Sequence, residues 1–343
     1  MAGATGSDAS INPLILASRW HGEGRRAALA TVIRTWGASP RPVGSMLVAD
    51  DQGDFAGSVS GGCIESEVVM AAAEAISAQA PRILDFGIDN DDAWSAGLTC
   101  GGSLQVMIQP VADDAACLTP DIIDRCAEAL IRRKPLGLLT NLVSMRPRLV
   151  EWADAEALPD EFHNRLTSGR AGLESREQAD WFIQPLRPAP TLAIVGAVHV
   201  AQPLARMAAI AGLEVVVIDP RRAFAESDNL RGIEVRGEWP GEALAGLAGG
   251  GGIAVATLTH EPRLDDPALN WALTNDDVFY IGALGSRRTH AARLERLREQ
   301  GFDEDQLARI HAPIGLDIKA LTPEEIAVSI IAELVAVRRG ARD

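Results

Sequence analysis

The chain of 343 residues has few aromatic residues, 4% in all, so any core it builds has to be aliphatic. It is also short of positive charge: 47 acidic residues stand against 32 basic ones, for a net charge of −15, and neither half of the chain is basic. Neutralising phosphates needs clustered Lys and Arg, so this balance argues against a nucleic-acid partner. No apolar run is long enough to span a bilayer, and the first residues, MAGATGSDAS, lack the charged start and apolar stretch of a signal peptide. Cysteine is scarce. Cys63, Cys100, Cys117 and Cys126 contain no C-x-x-C pair and make no disulfide framework in a chain this long. The expectation is a cytoplasmic protein with no membrane span. A Ser-His-Asp hydrolase is not supported either, because no G-x-S-x-G elbow occurs.

What is present is the balance of a globular protein, 47% hydrophobic and 23% charged, in a length that accommodates two domains. The clearest boundary is LRPAPT, residues 186–191, where two prolines within four residues reject regular structure. Before it, the strands AALATVIRTW, SMLVAD, RILDFGI, SLQVMIQPV and LGLLTNLV mix with helices near 13–21, after Cys63 and over 120–134, without a clean βαβ repeat. The stretch between RPRLVEWA and ADWFIQPL has no clear period. After the boundary, LAIVGA, EVVVID, GIAVATL, VFYIGA and ARIHAP alternate with helices over 200–211, 240–247, 267–273, 287–300 and 324–338. Such alternation implies a parallel sheet covered on both faces. The fold class expected is α/β: an N-terminal mixed α+β domain over 1–187, then a C-terminal Rossmann-like parallel-sheet domain over 191–343.

The stretch GSVSGGCIES, residues 57–66, sets Cys63 behind the pair Gly61 and Gly62 and at the opening of a helix whose apolar residues Ile64, Val68, Ala71, Ala72, Ala75 and Ile76 recur near helical spacing. A small apolar residue at a tight turn is one reading of that cysteine. The other is a functional thiol. Free N–H groups at a helix start favour negative charge and raise the thiolate fraction, and the thiolate is the nucleophile and metal ligand. Glu65 and Glu67 oppose this electrostatically. Cys100 sits in a similar setting, LTCGGS, ahead of Gly101, whereas Cys117 and Cys126 lack glycine neighbours and read as structural.

In the C-terminal half, ligands of an open α/β sheet lie beyond the carboxyl ends of the strands. The residues there are Gly196 to His199, Asp219, Thr259 with His260, GALGSRR at 282–288, and HAPIGLD at 311–317. Gly196, the following helix and Asp219 approximate a dinucleotide fingerprint, with Asp219 placed to accept from a ribose hydroxyl. Val198 breaks it, standing where the second glycine lets a pyrophosphate approach the backbone, so ordinary NAD use is in doubt. Gly285, Arg287 and Arg288 suit a phosphate through helix-start N–H groups and two guanidiniums, or they form a plain surface helix start. His260 with Glu261, Asp265 and Asp266 reads as a polar strand end before an acidic helix start, since no second ligand stands at the H-E-x-x-H spacing.

Taken together, these strings resemble the XdhC/CoxI family of accessory proteins for molybdenum hydroxylases, the xanthine dehydrogenase maturation factors. The resemblance runs from about Arg26 to Arg339. It rests on GSVSGGCIE, GLTCGG, GAVHVA, VIDPR, YIGALGSRRTH and IHAPIGLDIKALTPEEIAVSI. It implies a chaperone without turnover chemistry of its own that binds molybdenum cofactor, protects it during sulfuration by a cysteine desulfurase and assists insertion into an apo-molybdenum hydroxylase; a homodimer is compatible with it. Cys63 and Cys100 correspond to the family's two glycine-flanked cysteines. On this resemblance Cys63, as metal ligand, and Cys100, with Gly61, Gly62, Gly101, Gly196, His199, Asp219, Gly285, Arg287 and Arg288, are the expected cofactor-binding residues. A soft thiolate suits molybdenum or a sulfur atom in transit. Two rivals stay open: an NAD(P)-dependent oxidoreductase using the Rossmann-like domain, and a thiol or persulfide enzyme acting at Cys63.

Overall fold

A computed structural model of the chain describes residues 12–39, 41–87, 102–221, 230, 232–247 and 250–340. Two compact units result, Met1–Pro188 and Ala189–Asp343. Expected Cys100 and Gly101 lie outside the described residues.

The first unit starts with helix α1 (Pro13–Gly22), where Pro13 occupies the first turn and the Asn12 side chain accepts from Leu14 N. Five strands follow around it: β1 (Ala27–Trp36), β2 (Met46–Asp50), β3 (Phe55–Gly57), β4 (Arg82–Phe86) and β5 (Ser103–Pro110), in the sheet order β3-β2-β1-β5-β4. All the pairings in this sheet are antiparallel. Central β1 is buried on both faces, and its period of two sorts them. Ala28, Ala30 and Val32 face the core under helix α2 (Glu65–Ala78), while Ala27 and Leu29 face α1 and α3 (Pro120–Ile131). The apolar stripe read from the sequence, Ile64 with Val68, Ala71, Ala72, Ala75 and Ile76, is the buried face of α2.

A second antiparallel sheet, ordered β7-β6-β9-β8, completes this unit from β6 (Leu136–Asn141), β7 (Pro147–Glu151), β8 (Gly172–Arg176) and β9 (Ala179–Leu186). A 3-10 turn (Trp152–Ala157) and helix α4 (Asp160–Ser168) bridge its strands. The stretch without a clear sequence period is therefore a hairpin sheet with a short helix. Its tight turn between β8 and β9 uses Glu177 and Gln178, both at positive φ (53° and 63°), in place of the Asn and Gly that mark such turns in sequence.

The second unit is the expected Rossmann-like sheet. Strands β10 (Thr191–Val195), β11 (Glu214–Ile218), β12 (Glu234–Arg236), β13 (Ile253–Thr257), β14 (Val278–Ala283) and β15 (Ile310–His311) run parallel in the order β12-β11-β10-β13-β14-β15. Helices α5 (Ala201–Ile210) and, at the chain's end, α10 (Pro323–Arg339) cover one face. Helices α6 (Pro240–Ala245), α7 (Pro262–Leu273) and α8 (Arg287–Glu299) cover the other, before a short α9 (Glu304–Leu307). Helix α7 starts five residues ahead of the expected 267, with Pro262 in its first turn and Pro267 inside it. Strand order reverses at β10, so the crevice at the carboxyl ends of β10 and β13 is the switch point where ligands of this architecture bind.

Candidate functional site

Cys63 lies on the turn between β3 and α2, two residues before the helix, so it precedes the helix rather than opening it as expected. The turn is built around one carboxylate. Glu65 Oε1 accepts from Ser58 Oγ (2.8 Å), Val59 N (3.2 Å), Ser60 N (2.9 Å) and Gly61 N (3.1 Å). Its Oε2 accepts from Ser60 Oγ and from Gly62 N (2.8 Å). Gly61 and Gly62 sit at φ 81° and 117°, a backbone that turns successive N–H groups inward and that side chains resist. The Ser60 hydroxyl, while donating to Glu65, accepts from Cys63 N (3.0 Å) and Ile64 N (3.1 Å).

The N–H groups of Gly61 and Gly62, both expected among the cofactor-binding residues, donate to Glu65 in this structure. The same carboxylate belongs to the first residue of α2. Glu65 is the residue that sequence reasoning undervalued; its signal was an acid placed four residues after Gly61 and five after Ser60, close enough to fold back on the turn.

Burial raises the Glu65 pKa, but the hydrogen bonds from Ser60 and Ser58 overcome that, and the net effect is to hold it down at about 2. A carboxylate depressed on folding stabilises the protein above its unfolded pKa, roughly 4.3, and that contribution disappears as pH falls toward the folded value. Glu65→Gln should therefore lower the unfolding midpoint at pH 7 and flatten the loss of stability between about pH 4.3 and 2, read from thermal melts across that range. Parallel pH curves for variant and wild type would refute it.

The described cysteines differ in setting. Cys63 is half-buried and lies against the α2 core, while Cys117 and Cys126 are fully buried. The Cys117 thiol donates to Gln79 O at 3.4 Å and burial pushes its pKa up; burial pushes Cys126 up to about 12. The structural reading of these two agrees with those surroundings. Among the described residues no group of three or more His, Cys, Asp or Glu side chains is assembled for a metal ion.

In the second unit, Gly196 ends β10 at φ 106°, and a Cβ there would stand 2.4 Å from Thr259 Cγ2. His199 is exposed, just ahead of α5. Asp219 is fully buried, and its four acceptor positions are filled. Oδ1 takes Arg221 N (3.0 Å) and Nε (2.9 Å), and Oδ2 takes Ala197 N (2.9 Å) and Arg221 Nη2 (2.7 Å). Burial would raise its pKa, but Arg221 outweighs that and the carboxyl is held low. Asp219 thus braces the Gly196 turn in this structure instead of presenting an acceptor to a ribose.

Gly285, at φ 141°, leads into α8, whose Ser286 cap accepts from Thr289 N at 3.1 Å. Arg287 and Arg288 are exposed on the first turn, which carries no acidic residue. Asp317, paired with Lys319 at 2.7 Å, also feels Arg287, so the GALGSRR and HAPIGLD strings come together within this unit. Behind them Arg293 is buried: its Nη2 donates to Leu284 O at 3.0 Å and stands 3.6 Å from Asp265 Oδ2, whose Oδ1 accepts from Thr259 Oγ1 at 2.6 Å. The acids after His260 are accounted for here. Asp265 holds the strand end and Asp266 pairs with Arg296 at 2.7 Å.

No helix among the described residues is long and apolar enough to cross a membrane. Comparison with known proteins gives a consistent answer. The model of the XdhC Rossmann domain matches residues 192–334, and that of the XdhC and CoxI family matches residues 20–87, together well over half of the chain. The chain is 27% identical over 321 residues to the molybdenum cofactor insertion chaperone PaoD of Escherichia coli K12, covering 92% of this chain and 84% of that one. It is 27% identical over 322 residues to a protein of Bacillus subtilis 168 named as a probable xanthine dehydrogenase subunit, covering 91% and 93%. A crystal structure from Bacillus halodurans, described as a xanthine dehydrogenase, superposes with a TM-score of 0.73 at 24% identity over 97% of each chain, a likeness of fold. With the glycine-flanked Cys63 turn inside one match and the Rossmann-like strand ends inside the other, the chain belongs to the XdhC and CoxI family.

Proposed function

We propose that this protein binds molybdenum cofactor as cargo, holds it during sulfuration by a cysteine desulfurase, and assists its insertion into an apo-hydroxylase of the xanthine dehydrogenase type. The observation that carries the reading is the match along 92% of the chain to a protein named for inserting that cofactor. The geometry supports it with a half-buried thiol on a turn locked by hydrogen bonds, where a soft sulfur ligand is held ready. A phosphate is assigned to the start of α8, at Gly285, Arg287 and Arg288, where helix-start N–H groups stand beside two exposed guanidiniums.

The test is purification of the protein from cells that make the cofactor, identification of the retained ligand, and reconstitution of an apo-hydroxylase with it. Absence of bound pterin, together with saturable NAD(P) binding, would overturn the proposal in favour of a nucleotide-dependent enzyme. The phosphate assignment carries its own expectation. Arg287→Ala with Arg288→Ala should weaken cofactor binding about tenfold or more, since a charged hydrogen bond contributes roughly 1.5–3 kcal/mol. Unchanged affinity in a titration would make those arginines an ordinary surface helix start.

A further inference from the structure

The turn that carries Cys63 has the form of an anion-binding nest, with successive N–H groups at Val59, Ser60, Gly61 and Gly62 converging on one point. The anion at that point belongs to the chain. Glu65 reaches it from the first residue of α2, and is itself buried, at 7% exposure. Two serine hydroxyls, Ser58 and Ser60, add to the four amides. Six donors on one carboxylate far exceed what capping a single helix requires, where one or two orphan N–H groups are the usual reward.

Connectivity says what the extra bonds hold. Ser60 is the common node: its O–H donates to Glu65 while its oxygen accepts from the N–H groups of Cys63 and Ile64. Cys63 is therefore tied to the carboxylate through one intervening hydroxyl, and Ile64, the next residue, is buried in the core under α2. The backbone that carries the thiol is fixed from both directions.

We propose that Glu65 is the positioning residue of the Cys63 thiol, acting through Ser60 as a built-in oxyanion that keeps the turn closed. The proposal rests on the reading of Cys63 as the cofactor-facing thiol only for its consequence in delivery; the positioning itself is read from the protein alone. It follows that the turn would accept a small oxyanion in place of the side chain, a property that a purely space-filling Glu65 lacks. Glutamine is the sharper probe of charge, because its NH2 would meet N–H and O–H donors where a second oxygen now accepts.

The experiment measures the alkylation rate of Cys63 by iodoacetamide in the folded protein, mapped by mass spectrometry, with buried Cys117 and Cys126 as internal controls. Glu65→Gln is expected to speed Cys63 alkylation about tenfold, the factor equivalent to roughly 1.4 kcal/mol, with the controls unmoved. In Glu65→Ala, formate or acetate should return the rate to near that of wild type in a saturable way, while chloride at equal ionic strength should not. Ser60→Ala keeps the carboxylate and cuts the relay, so it should speed alkylation without any response to formate, and it serves where the Glu65 variants fail to fold. Wild-type Cys63 rates in folded Glu65→Gln or Ser60→Ala, or a Glu65→Ala rate indifferent to formate, would overturn the proposal. Because alkylation is measured without cofactor or client, a failure here is distinct from a failure of delivery.

Discussion

Cys63→Ser is expected to leave the protein folded and to remove most of its delivery of active cofactor to an apo-hydroxylase. The backbone of the turn should survive, because the bond from the residue-63 N–H to Ser60 Oγ does not involve the sulfur. Packing should change little, since serine keeps nearly the volume and the position is only half-buried. What disappears is the soft donor: a hydroxyl is a far poorer ligand for molybdenum and cannot carry a persulfide. Cys117→Ser is the matched control. That side chain is fully buried, so a hydroxyl there risks a cost of about 1–3 kcal/mol unless it keeps the bond to Gln79 O. Its effect should appear in the unfolding midpoint, not in delivery per folded molecule. The measurement is hydroxylase activity after reconstitution, alongside a thermal midpoint for each variant. Wild-type delivery by the Cys63 variant would return that cysteine to the role of a small apolar turn residue. Equal losses in both variants, with lowered midpoints, would point to general damage.

The Rossmann-like unit was legible from sequence because each of its main elements advertises itself. Strands such as Leu192–Val195 and Ile253–Thr257 are continuous apolar runs buried on both faces, and helices α6, α7, α8 and α10 carry proline or a capping residue at their starts. The capping box at Thr322 and Glu325 and the left-handed stop at Gly340 frame α10 within a residue of its expected bounds. Strands β3 and β12 were missed, each three residues long and at a sheet edge, too short for a period to show. The β6 to β9 sheet was obscure for another reason: Glu177 and Gln178 adopt positive φ without a glycine or asparagine, so tertiary packing overrides the local signal.

The site was half legible. Glycine spacing marked the Cys63 turn, and the strand-end rule marked Gly196, Asp219 and Gly285. Sequence could not tell which partner each polar group would choose. A glutamate after a glycine turn reads as a solvated helix-start charge until its carboxylate is seen to gather the turn's donors, and Asp219 reads as a ribose acceptor until Arg221 fills it. Both outcomes are set by side-chain reach over two to five residues, which no periodicity encodes.

Gly57→Ala should be among the most destabilising single-methyl changes in the first unit. Gly57 closes β3 at φ 90°, paired with Leu47, and a Cβ there would fall 2.4 Å from Met46 O and 3.1 Å from Leu47 Cα. Those contacts are backbone atoms of the paired strand, so no flexible side chain can swing aside. Met46 O is further pinned as the acceptor of Ser58 N at 3.0 Å, and the Ser58 hydroxyl is one of the donors on Glu65. Two costs add: a left-handed backbone for an L-residue, roughly 1–2 kcal/mol, and displacement of well-packed backbone, roughly 1–3 kcal/mol. The expected loss is about 3 kcal/mol, with faster alkylation of Cys63 because the strain enters the turn at its first residue. Gly53→Ala separates the two costs. It has nearly the same φ, 91°, with nothing within 4 Å of its added Cβ, so it should lose the backbone share alone and leave Cys63 alkylation unchanged. Urea midpoints of the two variants give the comparison; equal shifts would mean that the close approach to Met46 O does not constrain the turn.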